Sequence, residues 1–205
     1  MITIINYGVG NLGSIKNMLK KAGVKSRISS TDEEIQEAEK LILPGVGAFD
    51  YGMAQLSSAP YFETLNKRVQ EDKIPVLGIC LGAQLLTEGS EEGELPGLGW
   101  IKGKTIKFRE EKMDAGLKIP HMGWNEVETQ KESKLFEDMF KEPRFYFVHT
   151  YHMKCEEEKD VLLRSKYGYD FIAGVENENV VGVQFHPEKS HKFGLKLLTN
   201  FANNY

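Results

Sequence analysis

A chain of 205 residues, 40% of them hydrophobic, has room for one domain with a substantial core. Its 26 basic and 30 acidic side chains leave a net charge of −4, which gives no electrostatic case for a nucleic-acid partner. Two cysteines, Cys80 and Cys155, are too few for a disulfide framework, and no apolar run approaches the length of a membrane span. Residues 1–6 form too short an apolar run for a signal peptide and lack a basic segment before it, so a cytoplasmic protein is expected. There are no internal repeats and no low-complexity tracts.

The chain opens with a predicted buried strand over residues 2–5. It is followed by Gly8-Val9-Gly10-Asn11-Leu12-Gly13 and a helical pattern through Ile15, Met18 and Leu19 to Gly23. This is a formal G-x-G-x-x-G. After a second predicted strand, 24–28, the acids Asp32 and Glu33 stand at about the spacing of a ribose-binding acid, so a dinucleotide site has to be weighed. The same acids fit better in the first turn of a helix capped by Ser30 or Thr31, where unpaired amides already favour them. Residues 41–43 read as a third strand opening into Pro44-Gly45-Val46-Gly47, a loop whose amides can turn toward or away from a ligand. Residues 60–72 read as an amphipathic helix.

The next strand, 76–79, ends in Gly78-Ile79-Cys80-Leu81-Gly82. Gly-x-Cys-x-Gly is the thiol form of a nucleophile elbow, in which a sharp strand-to-helix turn lifts the nucleophile above the sheet and glycine fits the crowded flanks. A helix predicted over 81–87 would aim its unpaired amides at the sulfur and favour the thiolate. The plain alternative is a packed core cysteine. The polar loop 88–93 is expected to hold solvated acids. Beyond it, strand-like pieces over 100–108, 124–128, 144–151, 161–164, 171–176 and 180–185 are joined by short turns. Strand–helix units followed by hairpins indicate an α/β fold with a mixed sheet and an antiparallel extension. An amphipathic helix over 190–203, carrying Phe193, Leu197, Leu198 and Phe201, closes the domain.

A cysteine nucleophile needs a base, and the base needs an orienting group. His186 ends an apolar run in Gln184-Phe185-His186-Pro187-Glu188. If the chain stays extended through Pro187, His186 and Glu188 project to one side, and the carboxylate can hold one ring nitrogen while the other faces sulfur. The predicted catalytic set is Cys80, His186 and Glu188. His121 is expected to be structural or partner-facing, and His152 and His191 to lie on the surface. No Cys/His spacing suits zinc, and neither metal nor cofactor is expected.

The elbow Gly-Ile-Cys-Leu-Gly-Ala-Gln, together with Gln-Phe-His-Pro-Glu, resembles the class I, triad-type glutamine amidotransferases, and the resemblance runs through nearly all of the chain. Pro44 to Phe49, Pro120-His121-Met122-Gly123-Trp124-Asn125 and Phe147-Val148-His149-Thr150-Tyr151 look like the glutaminase subunit of imidazole glycerol phosphate synthase. The resemblance implies one amidotransferase domain over residues 1–205, with a flavodoxin-like, mostly parallel sheet flanked by helices. It implies oxyanion amides at Val46 and Leu81, with a peptide rotation in Gly45-Val46-Gly47 as a switch. A glutamine pocket would be lined by Gly47, Gln84, His149, Thr150 and Tyr151, and Asn11 and Trp124 would face a partner. That partner would be a (β/α)8-barrel cyclase, joined in a heterodimer, using ammonia to make imidazole glycerol phosphate and an aminoimidazole carboxamide nucleotide in histidine biosynthesis.

Two departures touch the acceptor pathway and not the triad. The family's usual methionine after Cys-Leu-Gly is Ala83 here, and its usual aspartate before Tyr-Gly is Asn6. Residues 188–194 also look like paralogues that feed ammonia to surface-sugar biosynthesis. Rivals of other classes are a cysteine hydrolase or peptidase on the same elbow and a non-catalytic partner-binding module on the same fold.

Overall fold

Apolar, largely β-branched runs build the first half of the sheet. In the computed structural model, which describes residues 1–205, β1 (Ile2–Ile5), α1 (Leu12–Lys21), β2 (Ser26–Ser29), α2 (Asp32–Gln36), β3 (Lys40–Leu43), α3 (Phe49–Ser57), α4 (Phe62–Gln70), β4 (Val76–Ile79) and α5 (Leu81–Leu85) follow in order. Then come β5 (Gly103–Lys107), β6 (His121–Glu126), β7 (Glu128–Thr129), β8 (Arg144–His149), β9 (Tyr151–Cys155), β10 (Val161–Tyr167), β11 (Tyr169–Asn177), β12 (Val180–Val183) and α6 (His191–Asn204). The main sheet runs β2-β1-β3-β4-β12-β11-β10-β7. Its first five strands pair in parallel, β11, β10 and β7 antiparallel, and β9 and β5 extend it from β11. The order 2-1-3-4 is the flavodoxin-like one expected from the sequence resemblance.

Alternation along the strands splits the core between the two faces. Ile2, Ile4, Leu77 and Val183 pack with α1 and α6 through Ile15, Leu19, Leu197, Leu198 and Phe201. Ile5, Leu43 and Val76 pack on the other face with Phe49, Leu56, Leu65, Val69 and Leu85. All four apolar residues expected on the last helix are buried. Each fully buried leucine or phenylalanine is worth roughly 1.5–3 kcal/mol over an exposed one.

Several boundaries differ from expectation for identifiable reasons. The second strand starts at Ser26 and not at 24, because Gly23, at φ +72°, closes α1 and the Val24 amide is still tied to the Leu19 carbonyl. Helix α3 has no sequence signal strong enough to predict it, since Gly52 interrupts it. The glycine is there because a Cβ would lie 3.0 Å from the Leu81 side chain of the crossing helix. The span 100–108 yields a strand only from Gly103, the Ile101 amide being held by the Leu86 carbonyl. The run 144–151 breaks at Thr150 into β8 and β9, and β8 leaves the main sheet to form a separate two-stranded sheet with β6.

The acids of loop 88–93 are not simply solvated, because they accept amide hydrogens from β5 and from the start of α3. Glu88 accepts the Gly103 N–H at 3.0 Å, Glu91 the Lys107 N–H at 2.8 Å, and Glu92 the Phe49 N–H at 2.9 Å. The first glycine loop is likewise committed internally. Gly10 lies against the Pro44 ring, and Asp32 sits in the first turn of α2, where Thr31 caps the Glu34 amide at 3.4 Å and the Thr64 hydroxyl donates to the Asp32 carboxylate. No helix of the chain is long and apolar enough to cross a membrane.

Candidate active site

Helix α5 lies flat on the sheet because two glycines are aligned beneath it. Gly78 of β4 and Gly182 of β12 are register partners. A Cβ at Gly78 would meet the Ala83 backbone at 2.8 Å, and one at Gly182 would meet Leu86 at 2.9 Å and Ala83 at 3.1 Å. Gly82 approaches β3 so closely that its Cβ would stand 1.9 Å from the Leu43 carbonyl oxygen. The chain can therefore turn into α5 only through a strained residue. Cys80 takes that strain at φ 54° and ψ −112°, a conformation rare for a side chain with a Cβ. The helix is shorter than predicted, five residues and not seven, so local free amides at Leu81 and Gly82, not a long macrodipole, face the nucleophile's turn.

Parallel pairing of β4 with β12 brings the base alongside. The Cys80 amide donates to the Val183 carbonyl at 2.8 Å, so the two strands end together at the carboxyl edge of the sheet, where α/β folds place their ligands. The expected extended path through Pro187 is replaced by a 3-10 turn over Pro187–Lys189, with only His186 extended, at φ −103° and ψ 95°. Proline at the first position of that turn fits its fixed φ. The turn carries Glu188 back under the ring, and His186 Nδ1 meets Glu188 Oε1 at 2.8 Å. Ser190 locks the arrangement, donating to the His186 carbonyl at 2.6 Å and accepting the Tyr146 N–H at 3.0 Å. Gly194 is required on α6, since a Cβ there would lie 1.8 Å from the Pro187 carbonyl oxygen.

His186 and Glu188 are 2% and 1% exposed at their side chains. His186 Nε2 is buried without a conventional hydrogen-bond partner, and its neighbour is the Cys80 sulfur. Burial disfavours a charge on His186, but the Cys80 sulfur and the Glu188 carboxylate outweigh it and push the imidazole up to about 10. A charged imidazolium between a sulfur and a carboxylate is the state in which such a base is ready to deliver a proton.

Cys80, Val46, Gly47, Gln84, Thr150 and Tyr151 border one cleft of about 400 Å³, with His149 and His186 also in its wall. That volume falls in the range of small-ligand sites. A family model described as "Glutamine amidotransferase class-I" matches residues 3–204. The chain belongs to that family. The amidotransferase is 52% identical to imidazole glycerol phosphate synthase subunit HisH 2 of Methanococcus maripaludis, over 98% of each chain. It is 50% identical to subunit HisH 2 of Pseudomonas aeruginosa, again over 98% of each, and 46% identical to subunit HisH of Leptospira borgpetersenii, over 99% and 100%. These identities place it in the HisH branch of the family. Among solved structures, one titled "Structure of PurLQS from Thermotoga maritima" superposes with a TM-score of 0.73 at 21% identity, covering 99% of this chain and 97% of that one, which shows a shared fold.

The two residues expected to face a partner lie outside the cleft. Asn11 is exposed at the start of α1, and Trp124, 44% exposed, projects from β6; both lie outside the lining. Trp124 stacks on the exposed His191 ring, 15° from parallel. His152 is buried and not on the surface, its ring donating and accepting between the Met153 carbonyl, 3.0 Å, and the Tyr169 hydroxyl, 3.1 Å. Burial pushes it down to about 4. Gly47 stands at φ +97°, and the Val46 amide makes no hydrogen bond within the chain. Gln84 uses both amide hydrogens internally, on the Tyr151 carbonyl and on Gln184 Oε1, each at 3.1 Å, so only its oxygen is left for a ligand.

Two residues escape the sequence argument. Gln184, fully buried at the end of β12, points its amide nitrogen at the Cys80 sulfur at 3.8 Å. A lone glutamine inside Val-x-Val-x-Phe was the available signal. Glu92, grouped there with solvated acids, lines the cleft and supplies a carboxylate near the Tyr151 phenol, which burial, Glu92 and Glu91 raise above its ordinary value. No group of three or more His, Cys, Asp or Glu is placed to hold a metal ion.

Proposed function

We propose that this chain is the glutaminase subunit of an imidazole glycerol phosphate synthase, with Cys80, His186 and Glu188 as its catalytic residues. The observation that supports it is the strained Cys80 beside a buried His186–Glu188 pair at the mouth of one cleft. Cys80 sulfur attacks the side-chain amide carbon of glutamine, and the developing oxyanion is held by the Val46 and Leu81 amides. His186 gives its proton to the departing nitrogen, the C–N bond breaks, and ammonia leaves a glutamyl thioester. His186, now neutral and held by Glu188, takes a proton from water, whose oxygen attacks the thioester; the C–S bond breaks, glutamate leaves with its acid proton lost to solvent, and the thiolate beside a protonated His186 is restored. Gly47, Gln84, Thr150 and Tyr151 orient the substrate, and Glu92 offers a carboxylate suited to its ammonium group.

Free ammonia is protonated in water and loses its nucleophilicity, so it has to reach its acceptor directly. The acceptor subunit in this reading is a (β/α)8-barrel cyclase docking on the face that carries Asn11 and Trp124, in the reducing cytoplasm that suits two free cysteines. A second reading keeps the glutaminase and changes the acceptor to a surface-sugar enzyme. Ala83, Asn6 and residues 188–194 favour it. Glutamate release from glutamine is measured for the chain alone and with a barrel cyclase and its nucleotide ligand. Stimulation that vanishes in Cys80→Ala supports the first reading; Cys80-dependent turnover that the cyclase leaves unchanged moves the ammonia to the second.

A further inference from the structure

Catalysis through Cys80, His186 and Glu188 leaves three buried histidines without a part in it, and two of them, His121 and His149, are bonded to each other. His121 Nδ1 and His149 Nε2 lie 3.0 Å apart across the β6–β8 register, and His149 borders the cleft. Burial drives His121 down to about 4 and His149 well below its ordinary value, so both rings are neutral at pH 7. Neutrality fixes every proton. His149 Nδ1 faces the Tyr151 carbonyl at 2.7 Å, and a carbonyl only accepts, so this nitrogen carries the hydrogen. His149 Nε2 is then an acceptor, and His121 Nδ1 must donate to it. His121 Nε2 in turn accepts from the Asn125 amide at 3.4 Å, whose nitrogen also donates to the Lys166 carbonyl at 2.8 Å. The Tyr151 carbonyl receives a second hydrogen bond from Gln84, which donates also to Gln184, which points at the Cys80 sulfur.

We propose that His121 and His149 are positioning residues: a relay with one fixed donor order runs from Asn125 through both rings to the Tyr151 carbonyl and, by Gln84 and Gln184, to the nucleophile. The relay rests on the glutaminase reading above. It begins on the inner side of a strand whose outer side is exposed, apart from the stack of Trp124 on His191. Met122 is 61% and Trp124 44% exposed on the opposite face of β6, and Gly123 between them stands at φ +137°. Packing alone does not account for the pair. The rings sit among Phe108, Phe147, Phe171 and Tyr167, where phenylalanine would fill the space with no polar edge to satisfy.

Four variants and one spectrum test this. His121→Phe and His149→Phe remove the relay and keep the aromatic volume. His121→Asn and His149→Asn retain a donor at the Nδ1 position. Loss of positioning is expected to cut kcat for glutamine by about tenfold, while KM changes less than about threefold, and to slow Cys80 alkylation by iodoacetamide by about threefold, no more than loss of Gln184 itself would. The asparagine variants are expected to recover most of both rates. Phenylalanine variants that keep wild-type kcat and alkylation rate, or asparagine variants no better than phenylalanine, overturn the relay. Nitrogen-15 histidine spectra of the unaltered protein are expected to show His121 and His149 as neutral Nδ1–H tautomers. Finding either as the Nε2–H form overturns the relay even if every variant fails to fold. Absence of Cys80-dependent glutamine turnover in the unaltered protein sinks the glutaminase reading instead, and the spectrum and the alkylation rates still decide the relay.

Discussion

Two buried imidazoles flank the same cleft, and their surroundings drive them to opposite charge states. His186 has a carboxylate on one side and a sulfur on the other, and both hold its proton. His149 has a backbone carbonyl on one side and a second neutral ring on the other, and burial prevails. The residue type is the same and the depth is similar; the partner atom decides. A carboxylate makes histidine a proton donor for chemistry, whereas a carbonyl makes it a fixed spacer whose value is its direction.

Breaking the charged side has the largest expected effect. Cys80→Ala and His186→Asn are each predicted to lower kcat for glutamine hydrolysis by at least about 10³-fold, since neither the nucleophile nor its proton donor has a substitute. Glutamate release measures this, and thermal melts within a few degrees of the unaltered protein exclude unfolding as the cause. Glu188→Gln keeps the shape and removes only the charge. It should cost about 10²–10⁴ in kcat, as losing the third member of such a set does when the ring keeps its place but not its preferred proton. The same change should lower the pH above which His186 loses its proton, read from the pH dependence of Cys80 alkylation.

The charged side was also the legible one. Cys80, His186 and Glu188 stand in short local patterns whose steric needs are visible in the sequence, namely glycines at 78 and 82 and a proline at 187. Strands β1, β3 and β4 and the last helix were legible for a related reason, because each buries an unbroken or strictly periodic apolar set. The neutral side was not. His121, His149, His152 and Gln184 gain their roles only when β6, β8, β9, β11 and β12 converge, and nothing local in Pro-His-Met or Tyr-His-Met says that the ring turns inward. Helix α3 and the detached β6–β8 sheet were hidden similarly, the first by a glycine placed for a crossing helix, the second by strands that pair with each other and not with the main sheet.

Acid distinguishes the two kinds of histidine. His186, raised above its ordinary value, stabilises the fold fully below about pH 6.5, and that contribution is lost as pH rises toward about 10. His121 and His152 are lowered to about 4, so between about pH 6.5 and 4 the unfolded chain takes up protons that the folded chain refuses, and stability falls as pH falls. The titratable rings against His121 are His149 and Tyr167, and no carboxylate or cation bonds to it. Unfolding of His121→Phe at pH 5 is therefore expected to take up about one proton fewer than the unaltered protein. The slope of stability against pH from denaturant titrations measures it; an unchanged slope means that His121 already titrates normally in the folded state.

The smallest expected effect lies where the two sides meet. Gln184 touches both, donating toward the Cys80 sulfur at 3.8 Å and accepting from Gln84 at 3.1 Å. Gln184→Met keeps the length and apolar volume, removes an N–H that favours negative charge on sulfur, and leaves one Gln84 hydrogen without its acceptor. The stability cost should be about 1–3 kcal/mol, the usual penalty for an orphaned buried donor. Alkylation of Cys80 at pH 7 should slow by only about threefold to tenfold, because an N–H to sulfur contact of this length is weak beside the paired imidazolium. A larger loss of alkylation with normal stability would mean that Gln184, more than His186, holds the sulfur ready. Unchanged alkylation with the full stability cost would remove the last link of the relay, and would mean that the charged pair needs nothing from β12 beyond the histidine that follows it.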